Sequence, residues 1–178
     1  VDIQGGYAND GGAPYDGVVD AAGGGNWTTL QAGDDALDAA INTVMLVKSG
    51  TYSTLTVSTN NVKIVCEPGT IVTGAIVLSG DNITLVLGAG CDIRGLITMS
   101  GDNCSLLCQN GCDLDGIIAS GVKALIDGGG WATISNGGTA NDGIELTSTS
   151  TDSIVQNISV QTTGGSQIGL LMDAARQV

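Results

Sequence analysis

Residues 54–116 decide the fold. They divide into TLTVSTNNVKIVCEPGTIVTG (Thr54–Gly74), AIVLSGDNITLVLGAGCDIRG (Ala75–Gly95) and LITMSGDNCSLLCQNGCDLDG (Leu96–Gly116), three copies of 21 residues that align without a gap. Asn61, Asn82 and Asn103 coincide, as do Gly69, Gly90 and Gly111, and Gly74, Gly95 and Gly116. A fourth copy follows as IIASGVKALIDGGGWATISNG. Within each copy apolar and polar residues alternate, the period of strands. Leu55/Val57, Ile76/Leu78 and Ile97/Met99 form one inward stripe. Val62/Ile64/Cys66, Ile83/Leu85/Leu87 and Cys104/Leu106/Cys108 form a second, and Thr70/Val72, Cys91/Ile93 and Cys112/Leu114 a third. Three short strands joined by Gly- and Asn-bearing turns cannot bury themselves alone. Stacked as coils of a solenoid they enclose a continuous aliphatic core.

Composition agrees. The chain has 178 residues, enough for one domain with a core, and 42% of them are hydrophobic although Phe is absent and aromatics make up 3%. Such a core is aliphatic, which suits thin layers of Val, Ile and Leu. The 29 glycines against two prolines supply many tight turns. A net charge of −13 with five basic residues and no His argues against nucleic acid as a partner, since phosphate binding needs clustered Lys and Arg. No apolar run is long enough to cross a membrane as a helix. No secretory signal is legible, and the start on Val1 reads as processed or trimmed.

Five cysteines first suggest a metal or disulfide framework. Cys104, Cys108 and Cys112 lie four apart, but no CxxC pair and no His accompany them. The repeat places all five on inward stripes, as buried reduced thiols acting as small hydrophobes. Cys66 and Cys108 share a column two coils apart, ~9.6 Å at the usual strand spacing, too far for a disulfide. Cys91 and Cys112 are stacked neighbours close enough to bond. No cofactor is expected.

Outside the repeat, GDDALDAAIN (Gly33–Asn42) predicts a short helix, with Asp34 and Asp35 as cap and first-turn acids and Leu37, Ala40 and Ile41 on one face. It would plug the open end of the solenoid. A strand over Thr43–Val47 and a turn around Lys48–Thr51 lead into the first coil. Residues 1–31 read as an irregular arm, because Val1–Gly25 holds eight glycines and no periodicity, and 32–178 as the capped solenoid. Ile144-Glu-Leu146 recurs as Ile168-Gly-Leu170, and Ile154 would match Val178, a spacing of 24. On that register the chain stops where a strand should begin, so the β-helix is expected to continue beyond Val178.

The order helix, TVMLVKSGTY (Thr43–Tyr52), coils, ALIDGGGWATISN (Ala124–Asn136), then NDGIELTSTSTDSIVQNISV (Asn141–Val160) resembles the pectate-lyase-like right-handed parallel β-helix superfamily, and most of all phage tailspike and virion spike proteins. The resemblance covers roughly Thr28–Val178 and is architectural. It implies an all-β, right-handed parallel β-helix with a short N-terminal capping helix and a Gly-rich arm. The superfamily holds polysaccharide lyases, polygalacturonases, adhesins and virion spikes, and fold alone does not choose among them.

Outward positions carry any surface chemistry. Asp113 and Asp115, two apart on one strand face, match the carboxyl separation of a glycosidase pair, ~5–9 Å. The plainer reading is an Arg94–Asp115 ion pair between coils with Asp92 and Asp113 solvated. Lyase-like chemistry would rest on Arg94 as base beside Asp92 and Asp113. The resemblance to polygalacturonases fails, because their His-bearing segment has no counterpart and Asp34-Asp35 lies in the expected helix cap. Asp81 and Asp102, each in Ser-Gly-Asp-Asn, are either a Ca²⁺-bridged column or plain turn formers beside a ladder of Asn61, Asn82 and Asn103. Trp27 and Trp131 are either sugar platforms or core residues, Trp131 standing in the slot of Cys91 and Cys112.

The expectation is a structural phage virion protein: the N-terminal part of a tailspike, tail fibre or capsid spike. Residues 1–31 would bind other virion proteins, and a homotrimer would project from the virion surface after folding in the host cytoplasm. Host surface polysaccharide is a possible ligand. The alternatives are a polysaccharide lyase or glycosidase, with its site on the outer face or beyond Val178, and an extracellular bacterial adhesin.

Overall fold

A computed structural model describes residues 15–37, 43–136, 143–162 and 169–172. Strand β1 (Gly17–Val19) and helix α1 (Leu30–Asp34) precede the first full coil, made of β2 (Val44–Val47), β3 (Thr51–Tyr52) and β4 (Leu55–Val57). The next coils are β5 (Lys63–Cys66), β6 (Ile71–Val72) and β7 (Ile76–Leu78), then β8 (Thr84–Leu87), β9 (Asp92–Ile93) and β10 (Ile97–Met99). A further coil holds β11 (Ser105–Cys108), β12 (Asp113–Leu114) and β13 (Ile117–Ala119). In the last two, β14 (Leu125–Asn136) and β16 (Ile154–Thr162) each run along two walls, and β15 (Ile144–Leu146) and β17 (Leu170–Met172) complete the third.

Every pairing between these strands is parallel, and each strand bonds to its counterpart one coil away. One wall runs β1-β2-β5-β8-β11-β14 and another β4-β7-β10-β13-β15-β17. The chain is therefore an all-β parallel solenoid. The period-2 pattern dictates its core: Met45, Ile64, Leu85, Leu106 and Ile126 stack in register and are fully buried. Leu55, Ile76, Ile97, Ile117 and Ile144 form a second such column, and Tyr52, Val72, Ile93, Leu114 and Ile134 a third. Each fully buried Leu or Ile contributes about 1.5–3 kcal/mol, and the columns repeat that gain at every coil.

Four differences from the sequence reading have physical causes. The helix lies at Leu30–Asp34, not Gly33–Asn42: Thr29 is its cap, its hydroxyl accepting from the Ala32 amide at 3.2 Å, and Asp34 and Asp35 stand at the other end. Ala40 and Ile41 lie outside the described residues. The solenoid begins inside the expected arm, because Gly17–Val19 already pair with Met45–Val47; residues 1–14 lie outside the described residues. The fourth copy advances by 20 residues throughout, so Ala132, not Trp131, follows Cys91 and Cys112 in their column. Near the C-terminus Ile144 pairs with Leu170 and Leu146 with Met172, a spacing of 26 rather than 24; Val178 lies outside the described residues.

The edge strands at the N-terminal side are closed by side chains. The Asn26 amide nitrogen of the backbone donates to the Val18 carbonyl at 2.8 Å, and the Asn26 side-chain oxygen accepts from the Val18 amide at 2.9 Å. The Gln31 side chain, on α1, does the same for β4, accepting from the Thr56 amide at 2.9 Å and donating to its carbonyl at 3.1 Å. These groups fill ladder positions that an edge strand would otherwise present.

Candidate functional site on the outer faces

The acid column forms as the register requires. Asp92 and Asp113 are direct neighbours across β9 and β12, with Ile71 before them and Thr133 after. Asp115 lies two residues beyond Asp113, at the bend that follows β12, and its amide donates to the Ile93 carbonyl at 3.0 Å. Asp113 is exposed, while Asp92 and Asp115 are half-buried. The Arg94 side chain is exposed. It turns back along its own strand, with Nη2 and Nε each 2.8 Å from Asp92 Oδ2. The hydrogen bond and charge of Asp92 hold the Arg94 guanidinium above its ordinary pKa. A cation so stabilised is a poor proton acceptor, which weakens the lyase-like arrangement of Arg94 with Asp92 and Asp113.

Asp81 and Asp102 belong to a ladder of turns. The Asn60 side chain accepts from the Asp81 amide at 2.8 Å, Asp81 from the Asp102 amide at 2.9 Å, and Asp102 from the Val122 amide at 2.9 Å. A return ladder runs beside it: the Asn61, Asn82 and Asn103 amides donate to the carbonyls of Asp81, Asp102 and Val122. The three asparagines adopt left-handed φ values of 60°, 56° and 56°, and Asn82 Nδ2 donates to Asn61 Oδ1 at 2.9 Å. Asn is tolerated there because its short polar side chain bonds locally. One oxygen of each aspartate is thus committed to the coil above it. Among the described residues, no group of three or more His, Cys, Asp or Glu is arranged to hold a metal ion.

All five cysteines are free and buried. Three of them satisfy turn carbonyls: Cys91 donates to Glu67 O at 3.4 Å, Cys104 to Gly80 O at 3.3 Å and Cys112 to Gly88 O at 3.2 Å. Burial pushes the Cys66 thiol up to about 12. Burial likewise raises Cys104, so neither is a nucleophile at neutral pH. Trp27 packs on the core at the N-terminal end, where a side chain on Gly17 would collide with its ring. It is half-buried, as a core-packed residue at that end.

Two polar clusters escaped the sequence reading. In β14 the register slips between Asp127 and Ala132, and residues 128–130 bulge out at positive φ for Gly129 (61°) and Gly130 (95°). Asp127 anchors the bulge, accepting from the Gly129 amide at 2.9 Å, Asn157 Nδ2 at 3.0 Å and Gln156 Nε2 at 2.8 Å. These bonds hold its carboxyl below the usual range. The Gly-Gly-Gly run was the available signal. At the other end Lys48 Nζ pairs with Glu67 Oε1 at 3.0 Å, and Glu67 Oε2 accepts from the Ser49 amide at 3.1 Å. That pairing depends on a turn geometry that spacing does not reveal.

Comparison with protein-family models, with curated proteins and with solved structures finds no match for this chain.

Proposed function

We propose that this chain is a structural stalk: part of a phage tailspike, tail fibre or capsid spike in which a right-handed β-helix projects from the particle. The observation that supports it most directly is the pair of ladders through Asn60, Asp81, Asp102 and Val122 and through Asn61, Asn82 and Asn103, which tie successive coils together along one edge. They spend the most repeated polar residues of the chain on stiffness along the solenoid axis. Handedness follows from the strong preference of parallel crossovers for the right-handed connection. On this reading α1 is the cap of the proximal end, residues before β1 attach to other virion proteins, and three copies assemble side by side.

A tagged chain expressed during infection should co-sediment with intact particles and appear as a projection in averaged electron micrographs. Recovery only from the soluble lysate would overturn the stalk reading. The second reading, a polysaccharide depolymerase, is favoured by one observation, the register pairing of Asp92 and Asp113 on an outer face. Release of reducing ends or unsaturated sugars from bacterial surface polysaccharide, abolished by Asp113→Asn, would move the assignment to that class.

A further inference from the structure

We propose that Asp34 is a proton-operated latch, holding α1 against the first coil when its carboxyl is protonated and loosening it when the carboxyl ionises. The latch is independent of the stalk assignment and stands or falls with the N-terminal end alone. Asp34 is the last residue of α1 and only 2% exposed, and its Oδ1 has no hydrogen-bond partner among the described residues. A buried oxygen left in this state penalises the ionised form most, because a carboxylate needs several donors and a carboxylic acid needs fewer. The backbone at a helix C-terminus presents carbonyl oxygens, which also disfavours negative charge.

Among the described residues, the elements packed against α1 supply no compensating cation. Helix α1 packs on β1, β2 and β4, and none of Gly17–Val19, Val44–Val47 or Leu55–Val57 is titratable. Asp16, just before β1, is occupied by the Thr43 and Val44 amides at 2.7 and 2.8 Å. On the helix side stands Asp35, a second acid, held by Gln31 Nε2 at 3.0 Å. Burial is the largest influence on Asp34; a bond from the Ser58 backbone opposes it and Asp35 reinforces it, leaving the carboxyl raised to about 6. Because the folded value lies above the unfolded one, packing of α1 is favoured fully below the ordinary carboxylate range. That advantage is lost as pH climbs through about 6.

The same helix carries Gln31, whose amide closes the edge of β4, and it lies beside Trp27, within 3.6 Å of where a Gly33 side chain would begin. Loosening α1 therefore uncovers a strand edge and changes the surroundings of Trp27. The test follows Trp27 fluorescence in a Trp131→Phe background, with amide exchange of residues 30–34 corrected for intrinsic rate, across the pH range on both sides of 6. The wild-type chain should show one transition with its midpoint at about 6 and protection lost on the alkaline side. Asp34→Asn should remove the transition and keep α1 protected throughout. Asp35→Asn should keep the transition and move its midpoint down, because one source of repulsion is gone; this arm remains informative if Asp34→Asn packs poorly. A transition that survives in Asp34→Asn, or its absence in the wild-type chain, or an unmoved midpoint in Asp35→Asn, would each overturn the latch.

Discussion

Lys123 is the residue most at odds with its position. It follows Asn61, Asn82 and Asn103 in the left-handed corner, with φ of 59°, and its amide donates to Thr151 O at 2.7 Å. A long side chain in that conformation costs of order 1 kcal/mol, whereas Asn adopts it readily. Lys123→Asn should therefore raise stability by roughly 0.5–1 kcal/mol, read as a higher urea midpoint with unchanged slope. Gly101 is constrained in a different way. A Cβ there would run into the Gly80 carbonyl oxygen, and one on Gly121 into that of Gly101, so the coils approach too closely for any side chain. Gly101→Ala should destabilise by about 3 kcal/mol or more, or prevent folding, since the clash is with backbone that the ladder holds fixed. At this scale the sequence was most legible where a position repeats a job. The asparagine corner and the five inward cysteines could be read from coincidence alone. Arg94 could not, because a column shared with Asp115 and a neighbour two residues back on the same face are equally near. The guanidinium pairs with the one on its own strand.

Among elements, the turn between the third and first walls offers the clearest division between two readings of the same residues. If Asp81 and Asp102 bridged Ca²⁺, both carboxylate charges would matter and chelation would destabilise the chain. The hydrogen bonds seen here need only one acceptor oxygen from each, and an amide oxygen replaces it. Asp102→Asn should thus be neutral to within about 0.5 kcal/mol, while Asp102→Ala, which leaves the Val122 amide without its acceptor, should cost about 1 kcal/mol. Melting curves should be superimposable with Ca²⁺ and with chelator; a rise in Tm on adding Ca²⁺ would restore the metal column. Helix α1 shows why elements outside the repeat were harder to read. Two successive acids after Gly33 suggest a cap, yet Thr29 takes that role and leaves Asp34 and Asp35 where helix carbonyls point. The last coils were misread for a related reason. Their spacing grows from 20 residues to 26 or more through insertions between strands, so a match by letter at 24 falls out of register.

For the whole molecule, stability is a sum over neighbouring coils, because each strand bonds only to those one coil away. Leu85 sits at the middle of its buried column, in register with Ile64 below and Leu106 above, and is fully enclosed. Leu85→Ala removes a filled position from the layer that joins the two halves of the solenoid. The cavity should cost about 2–5 kcal/mol. In a globular core that loss would lower one common transition. In a one-dimensional stack it weakens the coupling between the coils on either side, so the two ends should unfold at different denaturant concentrations. Trp27 reports the N-terminal end, and amide protection in β14 reports the fifth coil. In the parent chain the two signals should share one urea midpoint, and in Leu85→Ala they should separate. The truncation Ile144→Ala, made in the fifth coil, should leave the Trp27 transition nearly in place. Coincident transitions in Leu85→Ala would mean that some contact spanning several coils carries the cooperativity, and that the ladder of nearest neighbours is not what holds this solenoid together.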